Sequence, residues 1–228
     1  MEDIELINMW KVQNEKIEQS LTINRKLLVE TINQKAQNTL KSLIKLKTAG
    51  IVSFVLYLLI LGYILVYAFL NYSSSPIYFL ISLSAIFLIN LRGLYDYIKH
   101  LVWTNNINYD GSVTEIQQNL SKLQLSIVKH TKIMVLQLPF WSTLYLSNSW
   151  FPSQVGWTYI LFQVFLTSSL SYLAYWLYKN QKVENLDKKW YKALIAGSGG
   201  KSVAMALEFY KEIESFKSEK SITNNDEN

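Results

Sequence analysis

Few residues in this chain are equipped for chemistry, and they fall in three places. Residues 197–202 read Gly-Ser-Gly-Gly-Lys-Ser, the outline of the end of a phosphate-binding loop, whose glycines let backbone N–H groups curl round an anion. The full pattern needs glycine five positions before Gly200, where Ile195 stands. The run should also follow a strand, and the sequence before it is helical in period. The reading is a break between two helices that starts the second one. Contact of Gly197, Gly199, Gly200, Lys201 and Ser202 with an anion or a lipid headgroup at a helix N-terminus is the functional alternative. His100 and His130 are the only histidines, each preceded by a lysine. They make a poor metal pair, with Asp96 the one acidic residue nearby; they read as interfacial histidines that pack or face water, with a pH-sensitive contact as the functional alternative. Arg92 and Asp96 stand one helical turn apart, an ion pair by spacing.

Other chemistry is excluded by count. With no cysteine and two histidines, zinc–thiolate sites, iron–sulfur clusters, cysteine nucleophiles and four-histidine iron sites cannot be built. The long apolar runs hold no Asp, Glu, His or Lys, which removes the parts of an intramembrane proton relay. The expectation is a protein that is not an enzyme and uses no cofactor.

The elements that must carry these residues are dominated by charge-free stretches. Charged residues make up 17% of the 228 and apolar ones 50%. Residues 49–70 and 155–178 carry no charge, and at 1.5 Å per residue each exceeds a hydrocarbon core of about 30 Å. Residues 76–91 span if Arg92 snorkels to the headgroups. Residues 133–151 are the weakest candidate, containing Gln137, Pro139, Ser142, Thr143 and Asn148, and a kink is expected at the proline. All 22 Lys and Arg lie in 1–48, 92–132 and 179–220, and the 17 acidic residues likewise avoid the two remaining connections, 71–75 and about 147–154. By the positive-inside rule, four spans then place both termini and the middle loop in the cytoplasm. The first apolar run begins too late, and is too long, for a cleavable signal peptide. The net charge of +5 is matched to anionic inner-leaflet lipids, and direct nucleic-acid binding is not needed to explain it.

The expected fold is all-α: a four-helix transmembrane bundle (49–178) with cytoplasmic amphipathic helices and a helical hairpin. Residues 1–48 read as one or two amphipathic helices, with Ile7, Trp10, Ile17, Leu21, Leu28, Ile32, Ala36, Leu40 and Leu43 near a 3.6 period. Their asparagines weaken the helix, so it needs a surface: its own protomer, a second copy, another protein or the membrane. The candidate partner-binding face is Trp10, Ile17, Leu21, Leu28 and Ile32. In 92–132, a turn at 104–110 and a capping box, Ser112 with Glu115, predict a hairpin with Ile116, Leu120, Leu123 and Ile127 facing its core. Residues 179–228 read as helices over 179–195 and 202–219, the second with Val203, Leu207, Tyr210, Ile213 and Phe216 on one face, and a polar tail from 222.

The runs NNINYDGSVTEIQQNLSKLQLSIVKHTKIMVLQLPFW, LSNSWFP and ALIAGSGGKSVAMALEFYKEIE resemble a group of uncharacterised bacterial four-span integral membrane proteins associated with loci for extracytoplasmic-function sigma factors. The resemblance covers most of the chain. It implies an anti-sigma-like or accessory regulatory role, with a sigma factor as the cytoplasmic partner, and brings no activity or catalytic residue. The chain departs from familiar membrane anti-sigma factors, which have one span and an external sensor domain, and it lacks their zinc-binding motif. The expected role is a regulatory or scaffolding protein of the bacterial cytoplasmic membrane, embedded in the lipid bilayer, acting through a cytoplasmic protein partner or as a homo-oligomer. A small oligomeric channel or transporter is the alternative.

Overall fold

The computed structural model describes residues 2–71, 77–109 and 111–223, with the side chains of 2–4, 6, 25 and 212–223 left aside. The loop 71–75, Asp110, the side chains of Ile213 and Phe216 and the tail from 222 therefore lie wholly or partly outside the described residues. All regular structure among the described residues is helical. With neither Gly nor Pro before Gly50, nothing interrupts the first helix, α1 (Glu2–Leu70), which at 1.5 Å per residue is about 100 Å long. The polar start and the first apolar run are thus one rod.

The other helices are α2 (Ile77–Asn105), α3 (Val113–Met134), α4 (Leu138–Thr143), α5 (Trp157–Asn180), α6 (Lys189–Ala196) and α7 (Gly200–Thr223). Three are long and apolar enough to cross a membrane: α1 in its part Ile7–Leu70, α2 and α5. Residues 133–151 do not form one helix. Pro139 has no N–H to give the carbonyl of Val135, and its ring crowds that turn. The chain tightens into a 3-10 turn, Val135–Gln137, in which the Leu138 N–H donates to the Val135 carbonyl, and then resumes as the short α4 before the turns at 144–155.

Side-chain hydrogen bonds tie this broken segment to its neighbours. Asn90 Nδ2 donates to Gln137 Oε1 at 3.0 Å, and the hydroxyls of Ser82 and Thr143 bond at 2.7 Å. On the other side, Gln163 Nε2 donates to the Ser142 carbonyl at 2.8 Å, Tyr145 Oη donates to Gln163 Oε1, and the Ser142 and Thr167 hydroxyls bond at 3.0 Å. The polar residues of the segment are therefore spent on α2 and α5. In an apolar surround such pairing removes the cost of an unsatisfied group.

Beyond the apolar runs lies a second, polar bundle with its own core. The hairpin forms from the end of α2 and from α3, whose start is capped by Ser112 Oγ accepting from the Glu115 N–H at 3.2 Å. Ile116, Leu120, Leu123 and Ile127 of α3 close on Ile32, Ala36, Leu40 and Leu43 of α1 and on Val203, Ala206, Leu207 and Tyr210 of α7. Tyr210 Oη donates to Asn33 Oδ1 at 3.0 Å, and Gln117 Nε2 donates to the Tyr210 carbonyl at 3.2 Å. The C-terminal stretch differs in detail from its sequence reading. Instead of one helix over 179–195, α5 ends at Asn180, a 3-10 turn covers Val183–Asn185, and α6 is only Lys189–Ala196.

Candidate functional site

The residues singled out for chemistry divide into a sealed polar cluster, a glycine loop and an exposed helix face. The cluster sits where α1, α2 and α3 leave the apolar runs. Asp96 is 3.2 Å from Arg92 Nη2 along α2 and 3.5 Å from His130 Nδ1 on α3. The second separation is an electrostatic contact rather than a hydrogen bond. His100, fully buried, bonds through Nε2 to Ser126 Oγ at 2.9 Å, and the two imidazoles lie edge to face with centroids 6.0 Å apart. The histidines at the two sides of the hairpin therefore meet.

Lys47 completes the cluster. Its side chain is fully buried, and its ammonium lies 3.7 Å from the centre of the Tyr97 ring. Gly50 lets that ring lie against α1, since a Cβ there would collide with it. Tyr97 Oη donates to the Gly197 carbonyl at 3.1 Å, linking the cluster to the glycine loop. Sequence inspection did not select Lys47, yet the signal is present: it continues the buried stripe Ala36, Leu40, Leu43 at the next helical step.

The electrostatics follow from burial. Desolvation lowers Lys47 to about 7 against the pull of Asp96. Desolvation, followed by the Lys47 charge, lowers His100 to about 3. Desolvation also lowers His130 in spite of Asp96. For Asp96 burial acts upward, but His130 and Arg92 outweigh it and hold the carboxyl below its usual range. Near neutral pH both imidazoles are uncharged and Asp96 is ionised. Among the described residues no group of three His, Cys, Asp or Glu could hold a metal ion.

The glycine loop is a packing joint. Gly197 caps α6, Gly199 has φ +83°, and α7 starts at Gly200. Gly199 and Gly200 are buried, and a Cβ on Gly199 would enter the side chain of Leu43. Ser198 Oγ turns back to the Ile195 carbonyl at 2.9 Å. Lys201 is exposed and Ser202 half-buried. Gly199 thus serves the approach of α7 to α1, and Gly200 the packing of the start of α7 on Ile195 of α6.

The proposed partner face divides in two. Trp10, Ile17, Leu21 and Leu28 are 68, 51, 49 and 36% exposed, whereas Ile32 is buried with the polar-bundle core. Ile32 is therefore off the open face: α3 and α7 cover α1 from that turn onward. Comparison with protein-family models, with curated proteins and with solved structures finds no match for this chain.

Proposed function

We propose that this chain is a regulatory or scaffolding protein of the bacterial cytoplasmic membrane, which engages a cytoplasmic protein through the protruding part of α1. One observation carries this reading: α1 runs on past the polar bundle with Trp10, Ile17, Leu21 and Leu28 uncovered. Covering an exposed Leu, Ile or aromatic side chain is worth about 1.5–3 kcal/mol, so a partner helix laid on this face gains substantially. The buried cluster supports the same reading, because Asp96 is turned on Arg92 and His130.

The membrane arrangement is four spans with both termini in the cytoplasm. The charge distribution along the chain supports it, as do the hydrogen bonds that hold residues 137–145 against α2 and α5. Those same bonds consume Gln137, Ser142 and Thr143, the polar groups that a channel would have used. The resemblance to proteins from sigma-factor loci makes a sigma factor the partner of choice and the role anti-sigma-like.

The test is co-purification from native membranes in mild detergent, comparing the full chain with one starting at residue 28. The expected result is a protein retained by the first and lost from the second. Absence of any associated protein, a second copy of this chain included, from both preparations overturns the reading.

A further inference from the structure

We infer that residues 7–28 of α1 pair with the same residues of a second copy, as a parallel, in-register two-stranded coiled coil. This rests on the reading of that face as a protein-docking surface and names its occupant. The steps from Ile7 to Trp10, Asn14, Ile17, Leu21, Asn24 and Leu28 alternate three and four, the a/d repeat of a left-handed coiled coil. After Leu28 the steps become four, four and four to Leu40, so the stripe rotates round the helix. The stripe turns away where the chain's own α3 and α7 take over: Ile32, Ala36 and Leu40 are buried, and Ile7, Trp10, Ile17, Leu21 and Leu28 are not. One rod thus carries two successive seams, and none of the described residues covers the first.

Three observations select a second copy as that cover. Asn14 and Asn24 occupy interior positions of the repeat. In an unrelated apolar seam their amides would be stranded, at a cost of about 1–3 kcal/mol each. In an in-register pair each faces its own twin, with one amide donating to the other's carbonyl oxygen, the arrangement by which a core asparagine fixes register. The flanking positions also agree: Gln13 comes opposite Glu18 of the second copy, so no like charges are brought together there. Finally, the helix that carries the seam is continuous with the apolar run 49–70. Two copies inserted the same way must send their seams out in the same direction. Confinement to one bilayer raises the effective concentration enough for a seam of about three heptads to suffice.

The chain has no cysteine, so single-cysteine variants of the full chain in native membranes report the geometry directly. Leu21→Cys places the thiol on the seam, and Gln19→Cys places it on the far side. Oxidation should link Leu21→Cys into a species of twice the mass with roughly tenfold the yield of Gln19→Cys, as interior and exterior positions of a repeat should differ. A second variant, Ile17→Asp with Leu21→Asp, should elute as a monomer with its thermal midpoint unchanged, since both residues are exposed in the protomer. Equal linking at 19 and 21, or none at 21, overturns self-pairing. If the aspartate variant then loses a different co-purifying protein, the docking surface stands and only its occupant changes. If it loses neither, both fail.

Discussion

The ammonium of Lys47 rests on the face of Tyr97, 3.7 Å from the ring centre, fully buried and without a hydrogen-bond acceptor among the described residues. A ring face attracts a cation by its quadrupole, but by about 2 kcal/mol even when desolvated, less than an ammonium loses on leaving water. The unfolded chain holds this proton up to about 10.5 and the folded chain only to about 7. Between those values the unfolded state binds more protons, so stability rises with pH; below 7 the full penalty is present and level.

Lys47→Met keeps an unbranched side chain, one atom shorter, and removes the charge. Its thermal midpoint in detergent at pH 7 should rise, reflecting a gain of about 1–3 kcal/mol, as when buried charge gives way to apolar packing. The dependence on pH between 7 and 10 should flatten. A lower midpoint than that of the parent would show that the cation–ring contact outweighs the desolvation.

Acid should act through the imidazoles. His100 titrates near 3 in the folded chain and His130 is also lowered, against 6.5 when unfolded. As pH falls below 6.5 the unfolded state takes up protons that the folded state refuses, and stability declines toward pH 3 by a few kcal/mol. Asp96, held below its usual range by His130 and Arg92 against burial, adds a loss of the same sign at the acid end. His100→Gln retains a partner for Ser126 Oγ and removes one titrating group. The difference in thermal midpoint between pH 7 and about 4.5 should therefore shrink in this variant. An undiminished difference would place the acid sensitivity elsewhere.

The joint between α6 and α7 depends on Gly199. At φ +83° an L side chain is strained, and the added Cβ meets Leu43 in the core. Gly199→Ala should cost about 2–3 kcal/mol, the sum of a left-handed backbone and local overpacking. Gly197→Ala has open space at the Cβ and should change stability by less than about 0.5 kcal/mol, as surface substitutions do. Chemical denaturation of the two variants side by side separates this packing role from an anion-binding one, for which both glycines would matter.

Local patterns in the sequence carried well into three dimensions. Ser112 and Glu115 mark the start of α3 because the cap is a bond between near neighbours. The stripe from Ile116 to Ile127 marks its buried face because helical period alone decides it. What was not legible depended on distant residues. Nothing near Lys47 in the chain says that Tyr97, fifty positions on, would cover it. The glycine run resembles a phosphate loop until Leu43 is seen against it. Ile32 shares a stripe with Leu28, and only the arrival of α3 and α7 separates the buried residue from the exposed one.

That boundary within α1 can be measured by shortening the chain. A protein starting at residue 28 loses only turns that no other helix covers, and its thermal midpoint should match that of the full chain. One starting at residue 48 also loses Ile32, Ala36, Leu40 and Leu43, all at most 4% exposed. Removing buried Leu or Ile side chains costs about 2–5 kcal/mol each, and the three here, Ile32, Leu40 and Leu43, together match the about 5–15 kcal/mol that holds a domain folded. The shorter chain should therefore lose protease resistance and hydrogen-exchange protection over α3 and α7, while its apolar helices remain membrane-bound. If α3 and α7 kept their protection without residues 28–47, α1 would be a passenger on the polar bundle rather than part of its core.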